Sequence, residues 1–184
     1  MPEMRERMLR GEMYRWDETL GADHARAQLL LERYNTAPSG DQRSRDAILR
    51  ELLGEVGERV LVRPPFRCDF GTQISIGAGT FVNFDCVMLD GAPIRIGAAC
   101  QLAPRVQLLT ATHPVEPSSR RAGWESAEPI TLGDNVWLGG GVIVCPGVTI
   151  GDNTVVGAGA VVTSDLPADV VAVGVPARVT RTVA

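Results

Sequence analysis

The stretch Leu132-Gly133-Asp134-Asn135-Val136-Trp137, Leu138-Gly139-Gly140-Gly141-Val142-Ile143, Val144-Cys145-Pro146-Gly147-Val148-Thr149, Ile150-Gly151-Asp152-Asn153-Thr154-Val155 repeats every six residues. An aliphatic side chain opens each unit, and the series runs on through Val156 and Val162. Glycine follows at 133, 139, 151 and 157, with Cys145 the exception, and a small or branched residue stands four places after each aliphatic (Val136, Val142, Val148, Thr154, Ala160). A chain that buries one aliphatic in every six residues, with a turn between, winds a coil of three short strands. One coil then takes about eighteen residues and stacks on its neighbours at the usual strand spacing of roughly 4.8 Å.

Upstream the same phase appears at Ile76, Val82 and Met88, resets by two residues through Pro93, and resumes at Ile96, Leu102 and Leu108. The fold class read from this pattern is mainly β, a parallel β-helix over 61–184. Cys86 and Cys100 take the small inward place, and Cys68 lies one eighteen-residue coil before Cys86, so stacked core thiols are expected. Residues 1–60 are charged and helix-like. A short helix is expected around Pro2 to Met13, and a second over Asp23–Tyr34 with Ala25, Leu29, Leu30 and Tyr34 on its face. A third, over Asp41–Leu53, buries Ile48, Leu49, Leu52 and Leu53 and stops at Gly54.

The pattern fails once. Between Leu108 and Leu132 the inward positions would be Pro114, Arg120 and Ser126, none of which suits a dry core. Segment 113–129 must leave the coil as a loop, and loops on a rigid scaffold are where function concentrates. His113 stands at the point of departure. The other histidine of the chain, His24, falls in the helical region and reads as a packing or solvated residue.

Composition narrows the function. The net charge of −4 and pI near 5.2 argue against nucleic acid or an anionic membrane as the main partner. The charged N-terminus lacks an apolar signal core, and the cysteines lack CxxC or zinc spacing, so a cytoplasmic protein with reduced thiols is expected. Two histidines do not supply the three that a γ-type carbonic anhydrase uses for its metal. A pure scaffold would need no excursion loop.

The chain resembles the maltose, galactoside and nodulation-factor O-acetyltransferases of the hexapeptide-repeat superfamily. The resemblance is carried by Gly11-Glu12-Met13-Tyr14, Arg33-Tyr34-Asn35, Pro65-Phe66-Arg67-Cys68-Asp69-Phe70-Gly71, Asn83-Phe84-Asp85-Cys86, Thr110-Ala111-Thr112-His113-Pro114 and Gly174-Val175-Pro176-Ala177-Arg178. It implies a left-handed β-helix and a homotrimer with active sites between subunits. It also implies direct acetyl transfer from acetyl-CoA to a sugar hydroxyl, with no metal required. His113 matches the general base, Asn83 a polar residue facing it across the interface, and Asp69 a sugar contact. Trp137, Gly140, Ala158, Thr163, Arg178 and Arg181 match the stretch that lines CoA. The chain departs from the pattern by one missing residue near Trp16-Asp17, where Asp17 is the candidate sugar-binding acid. Gly91 stands where galactoside enzymes carry an acid, with Asp90 the adjacent candidate. These departures favour the maltose or nodulation-factor branch. The competing acceptor is not a sugar but an amino acid, amine or antibiotic.

Overall fold

A computed structural model of the chain describes residues 3–183. It is a parallel β-helix of about six turns preceded by helices. Pro2, where the first helix was expected to begin, lies outside the described residues, and that helix, α1, spans Met4–Leu9. The second, α2, is longer than the sequence suggested (Glu18–Thr36), because Asp17 caps it by accepting from the Leu20 N–H. Its buried face is Leu20, Ala27, Leu30, Leu31 and Tyr34, whereas Leu29 is 64% exposed. Of the expected stripe, Leu30 and Tyr34 are buried, whereas Ala25, like Leu29, faces solvent. Helix α3 (Gln42–Leu52) buries the aliphatics predicted for it. Two polar contacts dock α2 on the first coil: Tyr34 Oη donates to Val62 O (2.6 Å), and Asn35 exchanges a pair of 2.9 Å bonds with the Phe66 backbone.

Three parallel sheets form the faces of a prism. Face I stacks Glu55–Val56, Ile74–Ile76, Ile94–Ile96, Ile130–Leu132 and Thr149–Ile150. Face II stacks Leu61–Val62, Phe81–Val82, Gln101–Leu102, Trp137–Leu138, Val155–Val156 and Val170–Val173, and the antiparallel strand Arg178–Thr182 closes it. Face III stacks Phe66–Cys68, Cys86–Leu89, Gln107–Leu109, Ile143–Val144 and Val161–Val162. The β-helix thus begins at Glu55, within the part expected to be helical. Every hexad aliphatic from Leu132 to Val162 is at most 1% exposed, and the small or branched residues four places later, Val136 to Ala160, are at most 2% exposed.

Coil length varies. Trp137 pairs with Val155, eighteen residues on, but Phe81 pairs with Gln101 and Phe66 with Cys86, twenty residues on. The two extra residues sit at the corner from face III to face I, in the turns Asp69–Gln73 and Asp90–Pro93. Cys68 consequently stacks beside Met88, and Phe66 takes the place beside Cys86 that an eighteen-residue coil would have given to Cys68. Across the excursion the interval is thirty-six residues (Arg95 to Thr131), so whole coils are conserved.

The corner from face I to face II is uniform. Gly57, Gly77, Gly97, Gly133 and Gly151 follow the inward aliphatic there, and a Cβ on Gly57 or Gly77 would meet a backbone nitrogen of the next coil at 2.5 Å. Coil stacking at strand spacing leaves no room for a side chain at this column.

Candidate active site

The excursion leaves the coil at the corner from face III to face I. The excursion folds back as an antiparallel ribbon, not the bare loop expected. Ala111–Thr112 pairs with Ser126–Ala127, and Tyr14–Arg15 pairs with Trp124–Glu125 on the other edge. Backbone N–H groups that leave the coil need partners, and the N-terminal segment supplies them. A short helix, α4 (Pro117–Arg121), joins the two arms, capped by Glu116 through the Ser118 and Ser119 N–H groups (2.7 Å each). Thr110 anchors the base: its hydroxyl donates to Leu89 O (2.5 Å) and accepts from Ala92 N (3.0 Å). Trp124 lies beneath two guanidinium groups, Arg7 at 5.3 Å and Arg15 at 4.9 Å from its ring. His113 emerges exposed where the first arm ends.

Carboxylates converge beside it. Asp69 is half-buried, and its carboxyl is pushed up to about 6 by burial, then by the charges of Asp90 and Glu125. Glu125 is raised by burial and drawn back down by His113, so acid and imidazole lie within electrostatic reach of each other. Tyr14 is 3% exposed. Burial, then Glu125 and Asp69, push its hydroxyl up, keeping it a neutral donor. That hydroxyl explains Gly91: a Cβ there would lie 3.1 Å from it.

Asp90 is fully buried. Its Oδ1 accepts from Asp69 N (3.1 Å) and Phe70 N (2.8 Å), and its Oδ2 from Gln73 N (3.3 Å). Burial raises its pKa while these bonds oppose the rise. Asp90 therefore shapes the turn that presents Asp69 and offers no free oxygen face to a ligand. Asp17 is committed to capping, accepting from Leu20 N (3.0 Å) and Thr19 Oγ1 (2.7 Å).

The remaining candidates lie elsewhere. Asn83 sits at the corner from face II to face III, its Oδ1 accepting from Phe84 N (2.9 Å), beside a groove lined by Phe81, Gln101 and Trp137. Trp137 is 54% exposed on face II. Gly140 lines a hollow with Phe84, Pro104 and Arg105, and Ala158 belongs to the next coil of the same corner. Arg178 and Arg181 are exposed on the closing strand, opposite Val173 and Val171. Thr163 is exposed two coils beyond the excursion, on the His113 corner. The repeat glycine Gly139 is explained by stacking: its Cβ would meet Ala158 N at 2.6 Å.

Comparison with known proteins bears on this arrangement. Residues 7–57 match the maltose acetyltransferase hexapeptide capping motif, and residues 129–164 match the six-repeat bacterial transferase hexapeptide. The chain is 49% identical to nodulation protein L of Rhizobium meliloti (strain 1021) over 176 residues, covering 95% of this chain and 96% of that one. The chain belongs to the maltose, galactoside and nodulation acetyltransferase family.

A maltose O-acetyltransferase from Clostridium difficile 630 shares the fold with a TM-score of 0.98 at 43% identity, covering 100% of this chain and 98% of that one. A galactoside acetyltransferase in complex with coenzyme A gives 0.95 at 38% identity, with 100% and 92% covered. Within this acetyltransferase fold, sequence reasoning missed Tyr14 and Glu125 as members of the His113 corner. Their signal was long-range: an N-terminal strand pairing with an excursion a hundred residues later, which no local periodicity reports.

Proposed function

We propose that the protein transfers acetyl from acetyl-CoA to a hydroxyl of a sugar, with His113 as general base. The observation that carries this reading is the convergence of an exposed imidazole with Asp69, Glu125 and Tyr14 at one corner. A sugar hydroxyl is a poor nucleophile and must lose its proton as its oxygen attacks the thioester carbonyl. Neutral His113 accepts that proton, and Glu125 stabilises the imidazolium formed. The tetrahedral intermediate then collapses, expelling the CoA sulfur, which recovers the proton from His113. Asp69 accepts hydrogen bonds from neighbouring acceptor hydroxyls.

Direct transfer fits the cysteines. Cys68, Cys86 and Cys100 are buried, and burial pushes the Cys86 thiol up to about 11 and raises the other two, so none is poised as an acyl-carrying thiolate.

Within one chain Asn83 and His113 stand at opposite ends of the face III strands. A site using both takes them from two copies, which supports a homotrimer with sites between subunits. Trp137, Gly140, Ala158, Arg178 and Arg181 are then the CoA side of that cleft, the arginines meeting its phosphates. A cytoplasmic location suits acetyl-CoA. No helix among the described residues is long and apolar enough to cross a membrane.

The test is CoA release from acetyl-CoA with mono- and oligosaccharides, wild type against His113→Ala. Sugar-dependent turnover should fall by at least about a hundredfold in the variant. Survival of turnover moves the chemistry off His113. Strong preference for an amino acid, amine or antibiotic over every sugar overturns the acceptor class.

A further inference from the structure

One exposed aromatic beside the His113 corner has no part in the chemistry above. Trp16 is 53% exposed, yet it is firmly seated. One face stacks on Phe70 at 6.0 Å and 26°, its edge meets His24 at 5.4 Å and 75°, and its Nε1 lies 3.5 Å from where a Cβ on Gly21 would sit. A large apolar side chain held rigid on one side and open on the other is a platform.

Its place relative to the corner is fixed by register. Tyr14 pairs with Glu125 and Arg15 with Trp124, so the next step of the ribbon sets Trp16 towards Gly123. Trp16 also points to the same side of the extended segment as Tyr14, because side chains alternate. On the opposing turn, Phe70 directly follows Asp69. The Trp16–Phe70 stack is therefore displaced from the Tyr14–Asp69–Glu125 cluster by two residues of strand, about 7 Å, the scale of one pyranose ring.

The space there is open. A groove runs along Arg15, Trp16 and Asp17 on one bank and Ala122 and Gly123 on the other, with Met4 at its end. Gly123 has φ +77° and nothing within 4 Å of where its Cβ would be. The groove thus offers an aromatic floor and backbone flanks, with no bulky side chain from the excursion among its lining residues.

We propose that Trp16 forms a second acceptor subsite, stacking against the apolar face of the neighbouring sugar ring, so that the preferred acceptor is an oligosaccharide of two or more residues. This rests on the reading of the corner as a sugar site. Trp16 acts on specificity: it holds the ring next to the one acetylated and touches no reacting atom.

The experiment measures kcat/KM for CoA release with a monosaccharide and with its di- and trisaccharide, in wild type, Trp16→Ala and Trp16→Phe. In wild type the disaccharide should exceed the monosaccharide by about tenfold, the size of one good aromatic contact. Trp16→Ala should bring that ratio close to one, and Trp16→Phe should restore most of it. A ratio near one in wild type, or a ratio that persists in Trp16→Ala, overturns the subsite while leaving the sugar reading intact. Turnover with no sugar of any length overturns both.

Discussion

Two corners of the same prism are built to opposite rules. From face I to face II the first five coils turn alike, around a glycine column with adjacent backbones too close for any Cβ. From face III to face I the turns depart from the six-residue step: Asp69–Gln73 and Asp90–Pro93 add two residues each, and the third turn carries the whole ribbon from Thr110 to Pro129. The uniform corner satisfies its polar groups coil to coil, Asp134 accepting from Ala98 N and Asp152 from Asp134 N. The irregular one gathers buried or half-buried acids, a buried tyrosine and a histidine. The regular corner is built from stacked backbone, and the irregular one from titratable side chains.

That contrast breaks most readily in stability. Leu132→Ala, in the regular coil and 1% exposed, should cost about 2–5 kcal/mol in denaturant unfolding. Val115→Ala, in the excursion and 91% exposed, should stay within about 0.5 kcal/mol. Equal effects would mean that the ribbon is as integral to the fold as the coil.

A smaller effect sharpens the contrast at Asp69. Its carboxyl is held near 6, above its ordinary value, so the folded state binds a proton that the unfolded chain has released. Its ionised form destabilises the fold. The penalty is absent below about pH 4, grows as pH rises to about 6, and is constant above. Asp69→Asn should therefore stabilise the protein by roughly 1–2 kcal/mol at pH 8, after discounting for partial exposure. The gain should shrink towards acid pH while sugar-dependent CoA release falls, the trade expected of an acid kept for function. Thermal melts across pH check it, and a destabilised variant at pH 8 would assign Asp69 to structure.

The smallest effect concerns the clasp between the N-terminal segment and the excursion. Arg15→Ala removes one of two cations over Trp124 and should cost about 0.5–1 kcal/mol. It should also lower CoA release by loosening the strand that carries Tyr14, and an unchanged rate would leave the clasp purely mechanical.

Much of this was legible. The hexads from Leu132 to Val162 named the inward residues one by one, because burial every six residues is a local property of a wound coil. The phase reset at Pro93 marked an added pair of residues, but the matching pair at Asp69–Gln73 fell before the readable series, which displaced Cys68 from its expected neighbour. His113 stood out as the residue at the point of failure. Asp90 was read as a sugar contact from its place beside Gly91. Its three backbone partners come from a turn twenty residues away, a relation that spacing does not encode.

The excursion spans a whole number of coils, with Arg95 and Thr131 in register thirty-six residues apart, and the shorter turns at the same corner add two residues without disturbing the strands above or below. A coil touches only its neighbours, and the strands on either side of the corner are already fully paired. Chain length can therefore change here as freely as cargo changes in a fixed hold. An engineer changing chain length here would splice at this corner, keep the boundary residues Leu109 and Ile130, and rebuild the strand Tyr14–Arg15 together with the ribbon it pairs with.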